Sequence, residues 1–266
     1  MTKKIFTFWE QTDTMPDYIK MCINSWRKFL PDYEIIVLNH SNIGDYIGRE
    51  FYDKILYEKF TLAQQSQAIR AAILNKQGGI WFDADIIVTS SDIEQLFDQK
   101  SELNIFDNRI ACLKARKGSK ILTKWVKGIK WNLFLYKHFF NFCFEYFPYL
   151  ASDMMNWDYL SNNILCKLYR TKNKKRLNNI SIYSSKTYPE ILWDKECNHG
   201  KFKGALPDGY NYFYIKNDFS DFALKNNNGL IILHNSWMPR EYAQLNKDEI
   251  LKKSNTLSKL LQKFGT

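Results

Sequence analysis

The sequence predicts an α/β protein built around a β-sheet. Three observations predict it: a β-α-β pattern at the amino terminus, a glycine-terminated helix that runs into an apolar stretch carrying two aspartates, and short β-rich runs near residues 180 and 230. With 266 residues, 45% hydrophobic and 16% aromatic, the chain has the apolar surface needed to offset the entropy of ordering, which excludes a disordered chain. A single domain with an insertion is expected.

The elements follow in order. Ile5 to Trp9 is a β-branched and aromatic run, Asp17 to Phe29 reads as a helix, and Glu34 to Leu38 as a second strand. Pro16 sits just before that helix and Pro31 just after it, where a fixed φ and a missing N–H are tolerated. From Thr61 to Gln77, Leu62, Ser66, Ile69 and Ile73 recur at i, i+4, i+7 and i+11, and Gly78 and Gly79 end the pattern. The apolar run Ile80 to Val88 follows as a buried strand interrupted by Asp83 and Asp85. Spaced i, i+2 on an extended chain, these carboxylates are predicted to leave one face and converge on a cation. A pair of solvated turn aspartates is the plainer reading of such a motif, but carboxylates in so apolar a setting are costly unless paired or metal-bound.

Lys120, Lys124 and Lys127 fall on one side of a predicted helix, and Leu122, Val126, Ile129 and Leu133 on the other. Between Asn108 and Phe144 every charged side chain is Lys or Arg. Phe139 to Phe147 is strongly aromatic, and Lys167 to Arg176 is again basic. Residues 115–178 are therefore predicted to be a helical, basic and aromatic insertion carrying a surface of its own. Ile180 to Tyr183 and Leu230 to Leu233 read as strands, and Lys247 to Lys263 as a closing helix.

The formal net charge of +10 favours anionic partners: nucleic acid, acidic lipid headgroups or sugar nucleotides. The insertion reads either as a solvated helix packed on the core or as an interfacial helix on an anionic leaflet. The first residues lack the apolar run of a secretory signal, so an intracellular location is expected, and no apolar stretch is long enough to span a bilayer. Cys22, Cys112, Cys143, Cys166 and Cys197 are widely spaced without a Cys-x-x-Cys pair, as for reduced, mostly buried thiols. His40, His138 and His199 have no partner at metal or triad spacing and are assigned to structure or surface. No phosphate-cradling glycine motif occurs, so any nucleotide bound here would have to be held by metal and aromatic contacts.

Several of these segments resemble, as an ordered set, the sugar-transferase family bearing an Asp-X-Asp motif. They are Trp9 after Ile5-Phe6-Thr7-Phe8, Ser25-Trp26-Arg27 ahead of Leu30-Pro31-Asp32-Tyr33-Glu34, Gln67-Ala68-Ile69-Arg70, Gly78-Gly79-Ile80-Trp81-Phe82-Asp83-Ala84-Asp85, and His234-Asn235-Ser236-Trp237. The family includes bacterial capsule glycosyltransferases, Och-type mannosyltransferases and the glucosyltransferase domains of clostridial toxins. The resemblance covers residues 1 to about 115 and returns near 230 to 240.

It implies a GT-A fold, Rossmann-like with a mixed central sheet, and a divalent cation, Mn²⁺ or Mg²⁺. Trp9 would stack on uracil, Asp83 contact the ribose or sugar, Asp85 ligate the metal, and Arg70 lie near the donor sugar and diphosphate. Where toxin-like members carry an aspartate three residues before that arginine, this chain has Gln67, which keeps hydrogen bonding but removes the charge. By its residues alone His234 is either a satisfied core histidine or a metal ligand; the resemblance favours the ligand. Trp237 would donate its indole N–H to the β-phosphate or simply pack.

The function so implied is a retaining, metal-dependent hexosyltransferase of capsular or other surface polysaccharide synthesis. It would take galactose or glucose from a UDP-hexose donor to a lipid-linked sugar acceptor, in the cytoplasm on the inner face of the membrane, with no nucleic-acid partner. The rivals are a basic nucleic-acid-binding protein and a non-catalytic membrane-associated scaffold, which would need none of Asp85, Arg70 and His234.

Overall fold

The computed structural model describes residues 3–55, 60–97, 100–106, 109–136, 138, 160, 164, 180–183, 209–225 and 229–266. The opening is β-α-β: β1 (Lys3–Phe8), α1 (Asp17–Phe29) and β2 (Tyr33–Leu38). Then come α2 (Ile43–Ile47), α3 (Arg49–Ile55), α4 (Leu62–Gln77), β3 (Gly79–Phe82), β4 (Ile86–Val88), α5 (Ile93–Leu96), β5 (Leu103–Phe106), β6 (Arg109–Ala115) and α6 (Lys120–Leu135). The remainder is β7 (Ile180–Tyr183), a π-helical turn (Asn211–Lys216), α7 (Ser220–Lys225), β8 (Leu230–Ile232), α8 (Arg240–Ala243), α9 (Lys247–Leu251) and α10 (Thr256–Phe264).

Six strands form a mixed sheet in the order β2-β1-β3-β6-β5-β7. β1 runs parallel to both β2 and β3, β6 is antiparallel to β3 and to β5, and β7 is parallel to β5. Side chains alternate across it as the two-residue period requires. Ile5, Ile80 and Phe82 join one core with α1 and the C-terminal helices, while Phe6, Phe8 and Trp81 join another with α2, α3, α4 and α6.

α4 forms because its ends are fixed. Thr61 and Gln64 make a reciprocal capping box, with Thr61 Oγ1 accepting from the Gln64 N–H and Gln64 Oε1 accepting from the Thr61 N–H. Gly78 (φ 69°) and Gly79 (φ 97°) end it. A Cβ on Gly79 would lie 2.7 Å from the Lys4 carbonyl oxygen, so this close passage of β3 along β1 requires glycine. The helix is buried nearly all round, polar residues included, whereas Leu62, expected on its apolar face, is 42% exposed at its outer end.

Three sequence expectations change. Ile80 to Val88 is not one strand: β3 stops at Phe82, the Ile86 N–H donates to the Asp83 carbonyl at 3.1 Å to close a turn, and β4 pairs antiparallel with β8 in a separate two-stranded sheet. Asp83 and Asp85 therefore sit at a corner between two sheets, and the extended i, i+2 geometry does not apply. The closing segment is two helices, because Asn246 and Asn255 each accept from a backbone N–H three residues on and start a new helix. The insertion is described chiefly through α6, whose lysines 120, 124 and 127 are exposed and whose Leu122, Ile129 and Leu133 are buried. The runs Phe139 to Phe147 and Lys167 to Arg176 lie outside the described residues. Cys22 and Cys112 are buried free thiols, and the other three cysteines also lie outside. Among the described residues no helix is long and apolar enough to cross a membrane.

Candidate active site

β1 and β3 are parallel, so Trp9 and Asp83, one residue past each strand, emerge at the same sheet edge. The antiparallel β6 begins there, its Ala111 carbonyl accepting from the Asp83 N–H at 2.8 Å. The amino-terminal end of α4 and the segment after β8 close the sides. The result is a cavity of about 710 Å³ at the carboxyl ends of the parallel strands, where open α/β sheets hold ligands. Trp9, Gln67, Arg70, Asp83, Asp85, His234 and Trp237 all line it. Residues as far apart in the chain as Trp9 and Trp237 thus meet in one place.

Arg70 is 4% exposed and held on several sides. Its Nη1 donates to the Ile110 carbonyl, and its Nη2 donates to Ser66 Oγ at 3.2 Å and to Asp83 Oδ1 at 2.8 Å. The guanidinium also lies 5.1 Å from the centroid of the Trp81 ring. Only Nε lacks a partner, as does the buried Oε1 of Gln67 one helical turn earlier. Asp83 Oδ1 takes a further hydrogen bond from the Trp81 indole at 2.8 Å, and its side chain stays 32% exposed to the cavity. Arg70 is thus first the counter-ion of Asp83, a role the sequence spacing did not show.

Asp85 is more deeply placed. Its Oδ2 accepts from the Asn235 N–H at 2.7 Å, and its carbonyl accepts from the Leu233 N–H at 3.0 Å, so β8 reaches over to it. Tyr18 donates from α1 to Asn235 Oδ1, and the Trp26 indole donates to the Ile86 carbonyl at 2.7 Å. Burial, and next the Asp83 carboxylate, pushes Asp85 up to about 7. Burial also raises Asp83, against the pull of Arg70 and of the Trp81 hydrogen bond, which both lower it. With both carboxyl groups ionised, the single guanidinium would leave the site one positive charge short of neutral, and the carboxylate oxygens suit a hard divalent ion. His234 lies against Trp237 with ring centroids 4.4 Å apart and nearly parallel. Among the described residues no three Asp, Glu, His or Cys side chains form a metal shell by themselves.

Sequence reasoning missed Trp81, Ser66 and Tyr18 as supports of the site. It also set His40 aside, yet the His40 ring bridges Glu10, a cavity residue, at 3.1 Å and Gln65 Oε1 at 2.9 Å. Nothing in the spacing of Glu10, His40 and Gln65 announces that contact.

Residues 1–189 match the family model described as capsular polysaccharide synthesis protein. The chain belongs to that family. The match takes in Trp9, Gln67, Arg70, Asp83 and Asp85 and stops before His234 and Trp237, so the family's segment supplies one wall of the cavity and the following residues the other. No curated protein matches the chain. Among solved structures it is similar to PaToxG glycosyltransferase at 16% identity, over 67% of this chain and 73% of that one, with a TM-score of 0.41. It is similar to glycosyltransferase GlyE of Streptococcus pneumoniae TIGR4 at 10% identity with a TM-score of 0.47, spanning 60% of that chain with all of its own length. The galactosyltransferase LgtC, in complex with donor and acceptor sugar analogues, aligns over 69% of this chain and 74% of its own at 12% identity and a TM-score of 0.36.

Proposed function

We propose that this capsular polysaccharide synthesis protein is a metal-dependent, retaining glycosyltransferase. It moves a hexose, galactose or glucose, from a UDP-sugar to a lipid-linked acceptor during assembly of capsule or another surface polysaccharide. The observation that supports this best is the gathering of Trp9, Gln67, Arg70, Asp83, Asp85, His234 and Trp237 around one cavity at the carboxyl edge of the sheet.

Each side chain then has a task its surroundings permit. Trp9 offers an indole face for uracil. The partnerless Arg70 Nε–H and Gln67 Oε1 provide a donor and an acceptor, a turn apart on α4, for hydroxyls of an uncharged sugar. Arg70 is fixed before substrate arrives, so its charge opposes the negative charge developing on the departing diphosphate without reorganisation. Asp85, with Asp83 beside it and His234 lining the same cavity, would hold Mn²⁺ or Mg²⁺. Such an ion, when bound, neutralises a diphosphate leaving group. The acceptor hydroxyl displaces UDP at the anomeric carbon, the new C–O bond forming as the bond to phosphate breaks, and the departing phosphate takes the hydroxyl proton.

Release of UDP from a panel of nucleotide sugars, with and without Mn²⁺, tests the reading. Turnover confined to UDP-galactose or UDP-glucose and dependent on metal is expected. Preference for a GDP-sugar, or unchanged turnover in chelator, would overturn the donor or the metal assignment. Absence of turnover together with salt-sensitive oligonucleotide binding would favour a nucleic-acid-binding protein.

A further inference from the structure

α6 is about 24 Å long and packs on α4 through its buried face, leaving one stripe outward. That stripe reads Lys120, Lys124, Lys127, Trp131, Phe134, with alternating gaps of four and three residues that keep all five on one side of the helix. The two aromatic residues are the most exposed large apolar side chains described, Trp131 at 59% and Phe134 at 51%. Their rings stack at 5.7 Å, and Phe134 in turn lies 4.6 Å from His138, just past the helix. The stripe is thus divided along its length, lysine in the first half and aromatic in the second.

The aromatic half lies at the cavity end of the molecule. Thr123, near the start of α6, hydrogen-bonds Asn75 near the end of α4, while Tyr136 at the end of α6 meets Phe60 just before α4 begins, ring centroids 4.8 Å apart. The helices therefore run antiparallel. The start of α4 supplies Leu62, Ala63 and Ser66 to the cavity lining, and Leu62 is itself exposed.

We propose that this stripe seats the protein on an anionic phospholipid bilayer, with Trp131 and Phe134 in the interface and Lys120, Lys124 and Lys127 over the headgroups. Charge complementarity points to this occupant: β6 and α6, residues 109 to 135, carry basic side chains and no acidic one. The division of the stripe favours lipid over nucleic acid. A strand of bases is gripped by aromatics interleaved with cations, whereas a bilayer takes the apolar end of an inclined helix and leaves the cationic end at the phosphates. Seated so, the cavity opens beside the membrane, which is where a lipid-linked acceptor would present its sugar; that last consequence alone rests on the transferase reading.

The test is co-sedimentation of the full chain with phosphatidylglycerol-rich and pure phosphatidylcholine vesicles. The wild type is expected to pellet with the first and not the second. Changing Lys120, Lys124 and Lys127 together to Gln should weaken binding roughly 100-fold at low salt. The double change Trp131→Ser and Phe134→Ser should weaken it roughly tenfold, and still at moderate salt, where the charge contribution is screened. Lipid brominated near the headgroup should quench fluorescence in the wild type and less so in Trp131→Phe. Wild-type protein left in the supernatant, equal binding to neutral vesicles, variants that bind as the wild type does, or tighter binding of the same stripe to a single-stranded oligonucleotide would each overturn the proposal. No donor is present in these measurements. UDP-sugar hydrolysis in solution, measured separately, should persist in every variant, and its absence from the wild type would count against the transferase and not against the membrane contact.

Discussion

Asp85 is a carboxyl group whose folded environment works against its charge. Raised from 3.8 to about 7, it holds a proton that the unfolded chain releases, so its contribution to stability is fully present below about pH 4 and is lost as pH climbs through 7. Metal-free protein should therefore melt at a lower temperature at pH 8 than at pH 5. Asp85→Asn should flatten that dependence and raise the melting point at pH 8 while abolishing sugar transfer. Thermal scans of both proteins across this range check it, and parallel pH profiles would show that Asp85 is not the group responsible. Trp9→Ala should weaken UDP binding by roughly one to two orders of magnitude in calorimetry, the loss of one base-stacking contact; unchanged affinity would remove Trp9 from the nucleotide site. The sequence singled out Trp9, Arg70, Asp83 and Asp85, because tryptophan, arginine and paired aspartates in apolar surroundings are conspicuous. It could not show that Asp83 is bound to Arg70 and Trp81, since that depends on how a turn points a side chain.

At the scale of elements, local signals sufficed wherever a cap or a glycine fixed the backbone. α1 begins after Pro16 and α4 ends at Gly78, where the sequence predicts them. The Asp83 to Asp85 corner was hidden because an apolar run has the same composition whether it continues one strand or passes from one sheet to another. Glycine at the junction of α4 and β3 supports a sharp stability test. Gly79→Ala places a Cβ 2.7 Å from the Lys4 carbonyl oxygen at a φ of 97°, so β3 must move away from β1, and a loss of about 2 kcal/mol or more is expected. Gly118→Ala meets nothing within 4 Å at a φ of 71° and should cost only about 1 kcal/mol. Urea midpoints for the two variants distinguish them. Equal losses would mean that backbone strain, and not the approach of the two strands, sets the demand for glycine at residue 79.

At the scale of the whole molecule, the cavity depends on chain far from the motifs that first suggest it. β4 pairs only with β8 among the described strands, Asn235 binds Asp85, and α10 buries Leu257, Leu260, Leu261 and Phe264 against a core shared with α1. α1 in turn holds the Asp85 corner through Tyr18 and Trp26. The family match ends at residue 189, before any of β8, Asn235 and α10. A chain cut after residue 189 would therefore keep Trp9, Arg70, Asp83 and Asp85 yet expose the unpaired edge of β4 and the apolar face of α1. Such a fragment is expected to aggregate or to bind UDP far more weakly than the full chain. The milder pair Leu260→Ala and Leu261→Ala, each truncating a fully buried side chain of α10, should lower stability by about 2–5 kcal/mol apiece while leaving every cavity residue in place. If α10 acts on the site through α1, UDP affinity in these variants should fall at temperatures well below their melting points. A full-affinity site in protein that is merely less stable would show instead that the corner holding Asp85 is secured by β8 and the Asn235 contact alone.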